Sequence, residues 1–262
     1  MNLSLENKTV LVCGSTQGIG KACAMEMASL GANVVLLARN EDALKTTVKS
    51  LPLSGTQKHD YMVADFSDAE TVKNAIAKHI KEKGLIHILV NNTGGPAAGN
   101  VSDAQTEDFL KAFNAHLICN HILAQACLPG MKESKYGRII NIISTSVKQP
   151  IKGLGVSNTI RAAVGNWSKT LSLEVATFGI TVNNVLPGAT ATSRLTQIIE
   201  DKAKKTGKSI EEITKEMTHE IPAGRFASPE EVANAVAFLA TPAAAYINGI
   251  NVPVDGGRTG NL

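Results

Sequence analysis

A chain of 262 residues is long for one domain but within reach of a doubly wound α/β sheet, and 44% hydrophobic residues supply a full core. The formal charge of +3 is spread along the chain with no basic stripe interleaved with aromatics, which leaves no case for nucleic acid and favours small anionic ligands. Cys13, Cys23, Cys119 and Cys127 form no C-x-x-C pair and have no histidine partners at zinc spacing, so they read as reduced core thiols of a cytoplasmic protein, with no metal site.

From the N-terminus, Thr9–Cys13 reads as the first strand; it is far too short for a signal peptide and runs straight into glycines. A helix over Gly18–Leu30 follows, with Cys23, Met27 and Leu30 on one face and Gly31 as its stop. Strands are expected at Asn33–Ala38, Tyr61–Ala64 and Ile86–Asn91. Ser67-x-x-Glu70 and Ser102-x-x-Gln105 read as capping boxes opening helices. Ala112–Met131 carries no Asp, Glu, Lys or Arg, but Asn114, His116, Asn120, His121 and Gln125 make it too polar to face lipid, so it reads as a buried or interface helix ending at Pro129-Gly130. The fifth strand is Arg138–Ile143, and the excursion Ser144–Asn158 leads into a helix from about Ser157 to Phe178. Thr181–Leu186 is the sixth strand. A second excursion, Ser193–Gly224, is charged and helical from Ser193 through Ile199 and from Ile210 through Met217. Ser228-Pro229-Glu230-Glu231 caps a further helix, and Gly249–Val254 is the seventh strand.

Near-continuous apolar strands alternating with helices predict an α/β fold, a Rossmann-type doubly wound seven-stranded parallel sheet in three α/β/α layers, as one domain over 1–262. Ligands of such sheets bind outside the carboxyl ends of the strands, so both excursions are candidate site walls, the second a lid. Gly14-Ser15-Thr16-Gln17-Gly18-Ile19-Gly20 lies between the first strand and helix, where unpaired N–H groups and the positive dipole end can seat a pyrophosphate. The second strand ends Leu37-Ala38-Arg39-Asn40, with no carboxylate to bind a ribose 2′-hydroxyl and an arginine able to meet a 2′-phosphate. That points to NADP(H); a solvated strand-end charge is the other reading of Arg39.

These residues resemble the short-chain dehydrogenase/reductase family, ketoacyl reductases included, over nearly the whole chain. Gly14-x-x-x-Gly18-Ile19-Gly20 is similar to the family's glycine turn, with Cys13 where threonine is usual, and Asn91-Asn92-Thr93-Gly94 to its Asn-Asn-Ala-Gly segment. The resemblance implies that Asp65 contacts adenine and that Asn114 holds a proton-relay water. It also makes Ser144 the catalytic serine and sets Pro187, Gly188, Thr190 and Thr192 beside the nicotinamide. The family's catalytic Tyr-x-x-x-Lys is absent: thirteen residues past Ser144 stands Ser157, and four further stands Arg161.

Tyrosine, with a pKa near ~10, can be tuned into a general acid; a serine hydroxyl is a far weaker acid on a shorter arm. An arginine offers five donors and no transferable proton. Three readings stay open. Hydride transfer survives with Ser144 polarising a carbonyl, Arg161 stabilising charge and water supplying the proton; or Lys148 or Lys152 folds in as the acid; or the chain is a silent NADP(H)-binding sensor or scaffold. The expected partners are a small carbonyl or alcohol substrate and further copies of the chain, since the resemblance implies a symmetric tetramer, with a dimer as the alternative. No membrane association is expected.

Overall fold

The computed structural model describes residues 1–261. Its strands form where β-branched and leucine residues run together, because a parallel strand covered on both faces has no solvent side. They are β1 (Thr9–Cys13), β2 (Asn33–Ala38), β3 (Asp60–Val63), β4 (Ile88–Asn91), β5 (Gly137–Ile142), β6 (Ile180–Pro187) and β7 (Asn251–Val254). All pair in parallel, in the order β3-β2-β1-β4-β5-β6-β7. The order reverses between β1 and β4, which is where doubly wound sheets open a ligand crevice.

The helices are α1 (Gly18–Ser29), α2 (Glu41–Ser50), α3 (Ala69–Lys83), α4 (Thr106–Phe113), α5 (Cys119–Glu133), α6 (Gly155–Val175), α7 (Ser193–Thr206), α8 (Ile210–His219) and α9 (Pro229–Ala240). One face of the sheet is covered by α1, α2 and α9, around Val10, Val12, Cys23, Met27, Leu44 and Val236. The other is covered by α3, α5 and α6, around Leu11, Leu89, Ile76, Leu123, Met131 and Val182. Successive residues of β1, Val10 and Leu11, enter opposite cores, as the period of two requires. This is the expected three-layer Rossmann-type arrangement.

A polar row crosses the second face through four strands, from the last residue of β4 to the first of β7. Asn91, Asn141, Asn184 and Asn251 are register partners. Their amides are chained: Asn91 Nδ2 donates to Asn141 Oδ1 (2.8 Å), Asn141 Nδ2 to Asn184 Oδ1 (3.0 Å), and Asn184 Nδ2 to Asn251 Oδ1 (2.8 Å). Each amide in the row accepts from or donates to the next, and Asn91 Oδ1 at its head is buried without a partner among the described residues.

The structure corrects several boundaries. Asp68, not Ser67, caps α3 by accepting from Glu70 N–H at 3.0 Å, because the shorter reach from Asp68 pre-empts the box one residue earlier. Ser102 sits in a 3-10 turn, Val101–Asp103, and α4 begins after Gln105, whose N–H is met by the Asp108 carboxylate. The uncharged helix does not stop at Pro129-Gly130 but continues to Glu133. Burial of Leu123, Ala124, Cys127 and Met131 on either side outweighs the ~3 kcal/mol that an interior proline costs. The lid helices run longer than expected, to Thr206 and His219. Ser228 and Glu231 do form the expected capping box. Among the described residues no helix is long and apolar enough to cross a membrane.

Candidate active site

The glycine turn is shaped by what surrounds it. Gly14 and Gly18 have φ of +57° and +53°, a left-handed conformation that disfavours side chains. A Cβ at Gly14 would lie 2.7 Å from the Asn92 carbonyl oxygen, and one at Gly20 would strike the Gly14 carbonyl. Asn92 fixes the loop by donating to the Cys13 and Gly14 carbonyls, each at 3.2 Å. On the far side Thr192 closes in, with its Cγ2 3.2 Å from where a Gly18 Cβ would stand. Gln17 opens α1 without a side-chain cap, so the first N–H groups of that helix remain free for an anion. A cradle that only glycine can line, closed by no cap, fits a dinucleotide pyrophosphate.

Around this cradle the sequence-derived candidates divide. Thr16, Gln17, Gly18 and Ile19 lie at least partly open on the turn, whereas Ser15 is fully buried, its hydroxyl directed to the Leu37 carbonyl at 3.5 Å. Arg39 is exposed at the end of β2. Asn40 caps α2 by accepting from Ala43 N–H at 2.9 Å. Glu41, the nearest following carboxylate, is held away by the Tyr61 hydroxyl and Lys45, both at 3.0 Å. Asp65 accepts from Ser67 N–H at 2.9 Å; that bond, and more weakly the Arg39 charge, hold its carboxyl below the usual range. The Asn91 side chain is spent in the sheet, but Thr93 and Gly94 lead out of it into the crevice.

The segment after β6 forms the opposite wall. Gly188 packs so closely on Asp255 that a Cβ would lie 2.7 Å from its Cα. Thr190 donates to the Gly188 carbonyl at 3.1 Å, and Thr192 caps α7. Lid helices α7 and α8 share a small core of Leu195, Ile199, Ala203 and Ile213. The lid reaches across the crevice: Arg194 donates to the Pro96 carbonyl at 3.0 Å.

Past β5, Ser144 Oγ accepts from Ser146 N–H at 3.1 Å at the head of a short 3-10 turn. Ser157 is half-buried in the first turn of α6, and Arg161 lies one turn on. Arg161 is 8% exposed. Its Nη1 donates to the Ile142 carbonyl at 3.0 Å, and among the described residues its Nε has no partner and no carboxylate offsets the burial that draws its pKa down to about 10. A buried cation without a counter-ion is costly, and such a group is retained where an anion or a developing negative charge completes it. Nη2 faces Gly95, whose absent Cβ would stand 3.8 Å away. Asn114 Nδ2 donates to the Ser67 carbonyl at 3.4 Å. Lys148 is half-buried and Lys152 exposed on the rim of a cleft of about 460 Å³, bounded by Asn100, Ser102, Ile151 and Asn158.

His116 is a neighbour of Arg161 that the sequence did not single out. It is 3% exposed, and its Nδ1 lies 2.6 Å from Thr93 Oγ1. Burial, with the Arg161 charge behind it, lowers its pKa to about 3. Its spacing from Asn114 carried no motif; only the π-helical turn at Asn114–Ile118, between α4 and α5, sets it there.

Residues 14–259 match a family model described as enoyl-(acyl carrier protein) reductase. The NADPH-dependent reductase BacG of Bacillus subtilis is 31% identical, over 97% of this chain and 98% of the relative. The 3-oxoacyl-[acyl-carrier-protein] reductase FabG of Rickettsia felis is 35% identical over 97% and 98%. The crystal structure of L-sorbose reductase from Gluconobacter frateurii, complexed with NADPH and L-sorbose, superposes with a TM-score of 0.93 at 31% identity, covering 100% of both chains.

Proposed function

The chain belongs to the short-chain dehydrogenase/reductase family, and from that premise we propose that it is an NADP(H)-dependent oxidoreductase that transfers a hydride between the nicotinamide and a carbonyl or alcohol substrate at an atypical site. The whole of 1–262 acts as one dinucleotide-binding and catalytic unit in this reading. The observation that carries it is Arg161: a buried guanidinium that, among the described residues, has no counter-ion and one nitrogen unpartnered, where the sheet opens. Relatives that share the fold are NADPH-dependent reductases by name, which supports the cofactor.

NADPH supplies the hydride when bound. Gly14, Ser15, Thr16, Gln17, Gly18, Ile19 and Gly20 would seat its pyrophosphate by their backbone, and Arg39 and Asn40 its 2′-phosphate. Asp65 would meet the adenine, and Asn91, Thr93, Gly94, Pro187, Gly188, Thr190 and Thr192 would line the nicotinamide half. Ser144 would hydrogen-bond the substrate carbonyl and polarise it while keeping its own proton, and Arg161 would hold the negative charge that develops on that oxygen. Ser157 leaves room for a small hydrogen-bonding group. Excluding water with the lid strengthens the Arg161 interaction, since charge stabilisation grows as the local dielectric falls. The protein works in the cytoplasm as a homo-tetramer, a dimer being the alternative, with no membrane or nucleic-acid partner.

The loss of the family's tyrosine favours one other reading, a silent NADP(H) sensor. Titration with NADPH and NADH, followed by NADPH oxidation with acetoacetyl-CoA, L-sorbose and 5-ketogluconate, separates the two. Turnover of any of these supports the enzyme; tight NADPH binding with no oxidation by any of them supports the sensor.

A further inference from the structure

With serine at 157 and an arginine that keeps its protons, the site described above has no acid to protonate the product oxygen. Thr93 and His116 lie beside that gap. The run Asn92–Gly95 begins against the glycine turn, where Asn92 binds Gly14, and ends against the guanidinium, where Gly95 faces Arg161 Nη2. Thr93 therefore stands between the pyrophosphate cradle and the buried cation. Its hydroxyl is tied at 2.6 Å to Nδ1 of His116, a short contact suited to proton exchange. The other ring nitrogen, Nε2, has no partner among the described residues and is not sealed from solvent. The ring is neutral, since burial and Arg161 both oppose its protonation, so it carries one N–H and one lone pair.

We propose that Thr93 and His116 form a neutral proton relay that carries a proton from solvent to the product oxygen, taking the part that the family's tyrosine plays at position 157. The inference rests on the hydride-transfer reading. As the carbonyl carbon receives the hydride, the C=O π pair becomes an alkoxide lone pair beside Arg161. The alkoxide takes the Thr93 Oγ proton, Thr93 Oγ takes the Nδ1 proton of His116, and Nε2 takes a proton from a solvent water, which leaves as hydroxide. The net consumption is one hydride and one proton per carbonyl. His116 and Thr93 are restored, the imidazole as its other tautomer, which rotation or exchange with solvent resets.

The test uses the full chain, NADPH, and whichever of acetoacetyl-CoA, L-sorbose and 5-ketogluconate the wild type reduces fastest. Thr93→Val and His116→Gln are expected to lower kcat at least tenfold while the NADPH Kd stays within about threefold. Thr93→Ser should recover most of what Thr93→Val loses, and added imidazole should restore turnover to His116→Ala. The wild type should also slow more than twofold in D2O, with a curved proton inventory that becomes linear in Thr93→Val. Unchanged kcat in both Thr93→Val and His116→Gln overturns the relay and leaves the oxidoreductase reading standing. Loss of kcat with no imidazole rescue and no change in the proton inventory also overturns it. Should His116→Ala fail to fold, the Thr93→Val and Thr93→Ser pair decides. A wild type that binds NADPH and reduces none of the three overturns both readings together.

Discussion

Arg39 stands exposed at the end of β2 while the carboxylate that follows it, Glu41, is bound to Tyr61 and Lys45. A 2′-phosphate arriving there meets a guanidinium with no competing acid on the strand. A charge-assisted contact of this kind contributes about 1.5–3 kcal/mol, roughly ten- to a hundredfold in affinity. Arg39→Asp should weaken NADPH by that factor and leave NADH within about threefold, read by nucleotide fluorescence titration; an unchanged NADPH Kd would remove Arg39 from the site. Arg161 allows a sharper separation of stability from function. Replacing an uncompensated buried charge with an apolar group of similar length relieves desolvation, commonly by about 1–4 kcal/mol. Arg161→Met should therefore raise the thermal midpoint of the cofactor-free protein by a few degrees while lowering kcat about a hundredfold or more. A drop in both would mark Arg161 as a structural residue.

The elements position this site through polar contacts that run across the sheet. Asn141 is the centre of the asparagine row, giving one hydrogen bond to Asn184 and taking one from Asn91. Asn141→Ala would strand Asn91 Nδ2 and Asn184 Oδ1 in a buried setting, at about 1–3 kcal/mol for each orphan. A stability loss of about 2–5 kcal/mol in urea unfolding is expected; a loss under about 1 kcal/mol would mean that the row is idle. The same row fixes the heights of the strand ends from which Thr93, Ser144 and Pro187 depart, so kcat should fall along with stability. The π-helical turn at Asn114–Ile118 acts similarly on the helical side, since one wider turn rotates His116 inward against Thr93. These are element-level devices: each aims a side chain by shifting backbone.

Across the whole molecule, acid stability is set by histidines that the fold keeps neutral. Burial lowers His116 to about 3 and His87, with help from the Lys8 charge, to about 4; His79 is lowered too, again by burial first. His87 Nδ1 accepts from Thr9 N–H at 3.0 Å at the start of β1, a bond that a proton on that nitrogen would remove. In the unfolded chain these rings take up protons near pH 6.5, whereas in the folded chain His87 and His116 do so only at pH 3–4. The unfolded state thus binds more protons in this window, and stability falls as pH drops below about 6.5. His116 alone accounts for about 2 kcal/mol between pH 7 and pH 5. Urea midpoints measured across that range should decline, and His116→Gln should flatten the slope; a level profile above pH 5 would contradict the neutral assignment. The same scale holds the cysteines inert, since burial raises all four thiols, Cys119 to about 11 and Cys127 to about 12.

How much of this was legible in the amino-acid order depends on the range of the interaction. Apolar runs, glycines at fixed offsets and local caps act over a few residues, so β1 and β2, the dinucleotide turn and the box at Ser228 and Glu231 could be read directly. The spacing from Ser144 likewise located Ser157 and Arg161, one helical turn apart. Competition between nearby caps was not legible: Asp68 displaced Ser67 one residue before it, and Gln105 displaced Ser102 three residues before it, and no periodicity records either shift. Nor was the continuation through Pro129, which depends on core burial from distant strands. What only the tertiary structure decided is the state of the site itself. Among the described residues Arg161 became a buried cation without a counter-ion, and His116 a neutral partner of Thr93, 23 residues away in the chain, because the desolvation of each, and the Arg161 charge that acts on His116, arise only when α6, the end of β4 and the helical turn before α5 close on one another.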